Sequence, residues 1–382
     1  MISLYIHWPF CLSKCPYCDF NSHVRRSIDE DAWKNALLGE LKRLSTILGK
    51  RTLKSIFFGG GTPSLMSPQT VAALIDEATT LWQPEAHLEI SLEANPNSVE
   101  VEKFLALKKA GVNRLSLGVQ ALNDTDLKAL GRQHSANEAI KAIEIARSTF
   151  DRVSFDLIYA RTSQTISAWK TELTQALKFG TDHLSLYQLT IEPGTAFATL
   201  FARGELPLPH DDLSADLFEL TQSMMIDHGM PAYEISNHAK PGSECRHNLV
   251  YWRYQDYAGV GPGAHGRLTI DGKKYATRQK KSPEAWLQSI KDHGTGDDEV
   301  VELTATEQMR EILMMGLRTD EPIDCQALPI PLTDFVQRPP LEKLTTAGYL
   351  TFDGRFLSST TDGRQRLNAV LECLYPDLIP FS

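Results

Sequence analysis

Six short apolar runs alternate with longer stretches of helical periodicity over the first half of the chain. The runs are Leu4–Trp8, Ser55–Phe58, Leu88–Leu92, Arg114–Val119, Val153–Ile158 and His183–Leu189. The helical stretches between them are Asp31–Leu48, Pro68–Trp82, Val99–Ala110, Ala136–Ser148 and Ile166–Phe179. Strands separated by helices pair in parallel through right-handed crossovers. The pattern predicts an α/β fold, a partial (β/α)6 barrel of the TIM type with a lateral opening for a large substrate.

Polar and small residues that could bind a ligand or take part in a reaction follow the ends of the predicted strands. Cys11, the segment Gly59–Pro63, Glu93 and Gln120 follow the first four strands, and Asp156 lies within the fifth. Functional side chains of such sheets gather at the carboxyl ends of the strands. We therefore expect these residues to share one site at that edge.

Three of the six cysteines, Cys11, Cys15 and Cys18, fall in the spacing C-x3-C-x2-C. Thiolates at short spacing select zinc or iron–sulfur clusters. A structural zinc site takes a fourth ligand, for which His7 and His23 are candidates. On a [4Fe–4S] cluster, three cysteines instead leave one iron open to an external chelating ligand.

The segment Gly59–Pro63 reads GGGTP and directly follows an apolar run. Glycines let a ligand approach the backbone closely, but a tight turn from strand to helix is an alternative reading. A dinucleotide or phosphate loop fits less well, because neither G-x-G-x-x-G nor a following lysine is present.

These motifs together resemble the radical S-adenosylmethionine superfamily, whose signature is C-x3-C-x2-C. The loop FCLSKCPYCDFNS is most similar to the branch containing oxygen-independent coproporphyrinogen III oxidase and the HemW-type haem chaperones, and the similarity runs from Tyr5 to about Tyr375. The resemblance implies a [4Fe–4S] cluster on Cys11, Cys15 and Cys18, whose open iron binds S-adenosylmethionine.

The resemblance also implies which residues contact S-adenosylmethionine. They are Tyr5, Tyr17, Gly60, Gly61, Thr62, Glu93, Gln120, Arg132 and Asp156. The GGGTP residues would bind its amino group, Glu93 its methionyl part, Arg132 its carboxylate and Asp156 its adenosine. The family commonly reads DLIYGLPGQT where this chain has DLIYARTSQT at 156–165, so the turn after Asp156 departs from the pattern.

Two functions share this core: the oxidase, which decarboxylates coproporphyrinogen III, and the haem chaperone. The chain begins four residues before Tyr5, without the extension of the oxidase, and has Phe20 where the oxidase has a further cysteine. The segment 247–252, HNLVYW, matches the HNLxYW motif of the HemW branch. The resemblance thus favours a chaperone that binds haem and passes it to an acceptor protein, with His247 as the axial ligand and Cys245 as an alternative thiolate.

Three regions are predicted: the radical core over 1–235, a haem-motif and linker region over 236–298, and a C-terminal module over 299–382. The core pattern breaks into loops after residue 190, including Gly259–Gly266, and a boundary is plausible at Asp297–Glu299. Helical stretches at Thr306–Leu317 and Phe335–Ala347 precede a hairpin, Tyr349–Leu357, that turns at 353–354. This order resembles a winged-helix-like α+β module.

Charge and hydropathy limit the partners. The net charge of −9 argues against a nucleic-acid binder, since phosphate binding needs a basic face. No apolar run reaches the length of a membrane span, and the N-terminus does not read as a signal peptide. We expect a cytoplasmic protein whose low-potential cluster takes electrons from a flavodoxin or ferredoxin.

Overall fold

The computed structural model describes residues 1–375 as a large mixed sheet, its helices and a small second module. The strands are β1 Ile2–Trp8, β2 Phe10–Cys11, β3 His23–Val24, β4 Thr52–Gly60, β5 Gln83–Ala94, β6 Arg114–Gln120, β7 Arg152–Tyr159, β8 His183–Gln188, β9 Asn237–Ala239, β10 Tyr257–Val260, β11 His265–Ile270, β12 Lys273–Gln279, β13 Asp297–Glu302, β14 Ile323–Asp324, β15 Leu350–Phe352 and β16 Phe356–Ser359. The helices are α1 Glu30–Leu48, α2 Pro68–Leu81, α3 Ser98–Val101, α4 Phe104–Lys109, α5 Asp124–Ala129, α6 Ala136–Thr149, α7 Ile166–Leu177, α8 Ala196–Ala202, α9 Asp211–Asp227, α10 Arg246–Trp252, α11 Pro283–His293, α12 Ala305–Gly316, α13 Leu332–Phe335, α14 Arg338–Thr346, α15 Thr361–Gln365 and α16 Leu367–Leu374.

The large sheet has the order β13-β12-β11-β10-β1-β4-β5-β6-β7-β8-β9. The strands from β1 and β4 to β8 are the six predicted ones, and all pair in parallel. The partial (β/α)6 arrangement predicted from the sequence is therefore present. Its strands are buried on both faces, as the unbroken apolar runs require: Ser3 and Leu4 of β1 point to opposite faces, and both are enclosed.

The sheet extends further than the sequence predicted. Loops were expected around Gly259–Gly266, but β10 lies there as a seventh parallel strand beside β1, and β11 follows antiparallel to it. Two more antiparallel strands, β12 and β13, complete this edge, so the boundary expected at Asp297–Glu299 falls inside β13. The segments were missed because β10 is short and borders glycines, which are poor strand signals.

Helices cover the sheet with apolar faces that begin at well-formed caps. Ser67 accepts a hydrogen bond from the Thr70 amide at the start of α2, and Ser135 with Glu138 forms a capping box at α6. In α1, Leu37 and Leu41 are fully buried. These helices fix the outer layer and leave the carboxyl ends of the strands open.

The C-terminal module has its own apolar core and a three-stranded sheet in the order β14-β16-β15. The predicted helices appear as α12 and α14, and the hairpin β15–β16 turns where expected, with Gly354 at a φ of +96°. Residues 376–382 of the predicted module lie outside the described residues. The limits 1–235, 236–298 and 299–382 stay predictions. Among residues 1–375 we find no helix with an apolar stretch sufficient to span a bilayer.

Candidate functional site

A cavity opens at the carboxyl ends of the parallel strands, where the sequence placed the site. It is lined by eleven predicted residues: Cys11, Cys15, Tyr17, Cys18, Gly60, Gly61, Thr62, Glu93, Gln120, Arg132 and Asp156. They come from the cysteine loop, from four strands and from the turn after α5. Residues up to 145 positions apart in sequence, Cys11 and Asp156, thus face one space.

Each cysteine of the loop has a hydrogen-bonding neighbour. Thr62 Oγ1 donates to Cys11 Sγ at 3.4 Å, and Arg132 Nη1 donates to Cys15 Sγ at 3.3 Å. Cys18 Sγ lies 3.9 Å from the hydroxyl of Ser22. Hydrogen bonds to ligand sulfurs are one of the means by which a protein tunes a cluster. Thr62, Arg132 and Ser22 are therefore the residues of this chain that could tune such a cluster.

The three thiols of the loop line the same cavity. Within the described chain, no three His, Cys, Asp or Glu side chains are grouped tightly enough to hold a single metal ion. A [4Fe–4S] cluster does not require such a group, because each of its three protein-bound irons takes one cysteine. The three cysteines are all half-buried at the cavity wall, so their sulfurs reach its interior.

The GGGTP turn approaches the cysteine loop too closely for larger residues. A Cβ on Gly61 would lie 2.7 Å from the carbonyl oxygen of Phe10 and 3.0 Å from Cys11 Sγ. Gly60 has a φ of +113°, and its amide donates to Glu93 Oε2 at 3.3 Å. The glycines therefore do more than make a turn, since they bring backbone polar groups to the cavity wall.

Two carboxyl groups face the cavity in surroundings that favour their protonated forms. Burial, and then the nearby Asp156, raise the pKa of Glu93 to about 8. Burial raises the pKa of Asp156 to about 6, against the lowering effect of Ser185 and Arg114. Asp156 Oδ1 is buried without a hydrogen-bond partner among residues 1–375. An unpaired buried oxygen is costly, so this site is built for a ligand that supplies a donor or a positive charge.

Arg132 is held by a residue that the sequence reasoning missed. Its Nη2 donates to Asn95 Oδ1 at 2.6 Å and to the carbonyl oxygen of Gly118 at 2.7 Å. Asn95 Nδ2 in turn donates to Thr62 Oγ1 at 3.2 Å. Asn95 thus connects the arginine with the GGGTP turn. Its position two residues after Glu93, at the same strand end, was the available signal.

The departure from the family pattern after Asp156 has a structural counterpart. Ala160 adopts a φ of +56°, a region that favours the glycine of the family pattern. The buried Arg161 side chain pairs with Glu172 and donates to the carbonyl oxygen of Gln120 at 3.3 Å. Gln120 itself has a φ of +74°. Arg161 therefore supports the strained backbone of a predicted ligand-binding residue.

A second cavity of about 630 Å³ adjoins the first, and five residues line both cavities: Lys14, Phe20, Ser22, Gly60 and Glu93. Tyr5, the remaining residue predicted to bind S-adenosylmethionine, lines this second cavity and not the first. Its hydroxyl is 3.0 Å from His7 Nδ1, and His7 Nε2 is 2.9 Å from the carbonyl oxygen of Asn21. Through His7, Tyr5 of β1 is therefore connected to the cluster loop, and it forms part of the wall of the second cavity.

His247 lies behind this second cavity. It is 1% exposed, with Nδ1 2.8 Å from Ser55 Oγ and Nε2 2.7 Å from the hydroxyl of Tyr251. Because Ser55 donates its own proton to Ser3, His247 donates from Nδ1 and accepts from Tyr251 at Nε2. Its role as an axial ligand stays a prediction, and iron ligation would have to replace one of these bonds.

Cys245, the alternative thiolate, is fully buried. Its sulfur donates to Glu89 Oε1 at 3.5 Å, and burial raises its thiol pKa to about 12. Glu89 also accepts the His247 amide at 3.0 Å. Cys245 and His247 therefore anchor the start of α10 to the sheet through Glu89, and of residues 245–252 only Tyr251 reaches the second cavity.

Comparisons with known proteins agree with this geometry. The radical SAM superfamily model matches residues 5–172, and the HemN C-terminal domain model matches residues 303–366. The haem chaperone HemW of Escherichia coli is 38% identical, over 97% of each chain, and that of Bacillus subtilis is 35% identical over 95% of this chain and 98% of its own. Mouse radical S-adenosyl methionine domain-containing protein 1, mitochondrial, is 38% identical over 98% of this chain and 88% of its own.

Among solved structures, the coproporphyrinogen III oxidase HemN of Escherichia coli, a radical SAM enzyme, superposes with a TM-score of 0.82. It covers 99% of this chain and 90% of its own at 23% identity, so it supports the fold alone. The winged-helix-like module predicted at the C-terminus corresponds to the HemN C-terminal domain. The cysteine loop, the glycine turn and the near full-length identity lead to one assignment: the chain belongs to the HemW branch of the radical S-adenosylmethionine superfamily.

Proposed function

We propose that this protein is a haem chaperone, which binds haem and transfers it to an acceptor protein. The observation that carries the proposal is the similarity to HemW chaperones of two bacteria over at least 95% of the chain. The acceptor is a protein of unknown identity. The similarity to the oxidase HemN, at 23% identity, supports a shared fold and not a shared activity.

Within this proposal, Cys11, Cys15 and Cys18 hold a [4Fe–4S] cluster with one open iron. When reduced, such a cluster supplies an electron to a sulfonium bound at that iron. The backbone of Gly60 and Gly61 with Thr62, together with Gln120, would orient the bound S-adenosylmethionine. Tyr5 and Tyr17 would flank it.

The charged residues of the cavity match the charges of S-adenosylmethionine. Glu93 and Asp156 lie at the cavity wall, where carboxylates attract a cation. Arg132 Nε is buried without a partner in the described chain, so the guanidinium has an unused donor for a carboxylate. These roles follow the family pattern. We further propose a cytoplasmic location and a flavodoxin or ferredoxin as electron donor.

Two assays on anaerobically reconstituted protein separate the chaperone from the oxidase. In the first, the protein is loaded with hemin and mixed with apomyoglobin as a general acceptor, and the transfer is followed by absorbance. In the second, coproporphyrinogen III is supplied with S-adenosylmethionine and a reductant. We expect haem transfer and no decarboxylation; sustained formation of protoporphyrinogen without stable hemin binding would reverse the proposal.

A further inference from the structure

Four histidines lie in or behind the second cavity, and they differ in how their rings are engaged. His7 and His247 each have both ring nitrogens within hydrogen-bond distance of a partner. His23 uses Nε2 on Asn21 Oδ1 at 3.1 Å. The ring of His265 makes no hydrogen bond within residues 1–375, and its side chain is exposed at the cavity. Of the four, His265 is the imidazole with both nitrogens available.

His265 is also in the protonation state that a metal ligand needs. It is the first residue of β11, which pairs with β12 so that His265 faces Arg278. Partial burial, and then the cations Arg267 and Arg278, lower its pKa below the usual value. The imidazole is therefore neutral at neutral pH and offers a lone pair, as haem iron requires.

The walls of the second cavity offer flat apolar surface. Tyr251 and Tyr257 meet edge to face with their ring centroids 4.6 Å apart, and Tyr5 contributes a third ring. Phe20 from the cluster loop is 59% exposed on the same cavity. His247 fixes this wall, because its Nε2 accepts the hydroxyl of Tyr251. Such a cavity lies within the size range of sites for organic ligands of moderate size.

Two cations stand at the open side of the same cavity. Lys14 projects from the cluster loop, and Lys281 follows β12; both are exposed. A single exposed carboxylate, Asp19, stands among them. Two exposed ammonium groups on an aromatic cavity match a planar ligand with two carboxylates. Haem has this chemistry, with two propionates on one edge of the macrocycle.

We infer that the second cavity is the haem site and that His265 is the ligand to the iron. Tyr251 and Tyr257 pack against the macrocycle, Lys14 and Lys281 bind the propionates, and His247 acts as a positioning residue through Tyr251. This inference rests on the proposed haem-chaperone function and assigns the site within it. It also places haem beside the cluster, because Asn21 Nδ2 donates to the carbonyl oxygens of both Pro262 and Lys281 at 2.9 Å and so connects the cluster loop to this cavity.

The test is a titration of the full-length, cluster-loaded protein with hemin and, separately, with metal-free protoporphyrin IX. We expect His265→Ala to weaken hemin binding by about tenfold or more and to shift the Soret band, while metal-free porphyrin binds as to wild type. Added imidazole should restore the wild-type spectrum. His293→Ala, an exposed histidine at the end of α11, is the matched control and should change nothing.

The outcomes separate the two levels of the proposal. If wild type binds no hemin, the chaperone function itself fails. If wild type binds hemin and His265→Ala keeps both its affinity and its Soret band, only the assignment of the ligand fails. Equal weakening of hemin and metal-free porphyrin, without rescue by imidazole, would mean that His265 shapes the cavity and does not bind iron, and would also overturn the assignment. Lys281→Glu should weaken both porphyrins equally, since the propionates are common to them.

Discussion

Binding of S-adenosylmethionine should strengthen as the pH rises, and Glu93 should be the main cause. In the ligand-free protein, burial and the adjacent Asp156 raise the pKa of Glu93 to about 8. The group is therefore mostly protonated at neutral pH. A cationic sulfonium binds better to the carboxylate, so binding below this pKa must first remove a proton.

The size of the effect follows from the pKa of Glu93. If only the carboxylate form binds, the affinity is reduced by the factor 1 + 10^(pKa − pH), so a pKa of about 8 gives about 25-fold tighter binding at pH 8.5 than at pH 6.5. That change corresponds to about 1.9 kcal/mol. Asp156, with a pKa of about 6, is ionised over most of this interval and adds little.

Equilibrium dialysis of labelled S-adenosylmethionine against the oxidised, cluster-loaded protein measures this dependence without cleavage of the ligand. The matched variant is Glu93→Gln, which keeps the shape of the side chain but cannot ionise. Its affinity should be weak at every pH and should lack the rise of about 25-fold that the wild type shows. Parallel pH profiles for wild type and variant would refute the reasoning, because the amino group of the ligand titrates equally in both.

Three further outcomes test the site and its surroundings. Cys15→Ser should reduce the iron and sulfide content of reconstituted protein strongly, whereas Cys325→Ser, in the C-terminal module, should leave both unchanged. Gly61→Ala should lower cluster content and S-adenosylmethionine affinity, since its Cβ meets Phe10 and Cys11; Gly39→Ala, with open space around it, is the control and should retain both. Ala160→Gly should raise the free energy of unfolding by about 1 kcal/mol in thermal or denaturant unfolding, because glycine tolerates the positive φ there; an unchanged or lower value would contradict this.

The sequence predicted the central strands and the edge that carries the site because both depend on local patterns. Parallel strands buried on two faces read as continuous apolar runs, and β1 and β4 to β8 were found on that basis. Once the strands are ordered, their carboxyl ends share an edge, so Gly60, Glu93 and Gln120 had to meet. The proximity of these residues does not tell which part of S-adenosylmethionine each one contacts; the family pattern supplied those roles.

What the sequence missed depends on pairing between distant segments. β10 has four residues beside glycines, and its place next to β1 is set by the sheet edge that β1 leaves open. The second cavity exists because β10 and β11 bring Tyr257 and His265 opposite the cluster loop, more than 230 positions earlier in the chain. Pattern analysis uses windows of at most about 18 residues, so no window contains both groups of residues that line this cavity.

The haem motif shows why a residue type does not decide a role. A histidine followed by two aromatic residues is suited to haem, and nothing in HNLVYW tells whether the imidazole nitrogens face a cavity or a hydroxyl. In the fold, β4 places Ser55 against one nitrogen of His247 and α10 places Tyr251 against the other, four residues on and one helical turn away. Burial also lowers the pKa of His247 to about 3, so the ring stays neutral and the tyrosine hydroxyl remains its donor. His247 and Tyr251, which recommend the motif for iron, thus satisfy each other, and they hold an aromatic wall toward His265, whose ring is unengaged in the described chain. A ligand to iron must have a free lone pair. By that requirement the proposed ligand is His265, and the HNLVYW motif positions the wall of the haem site through Tyr251.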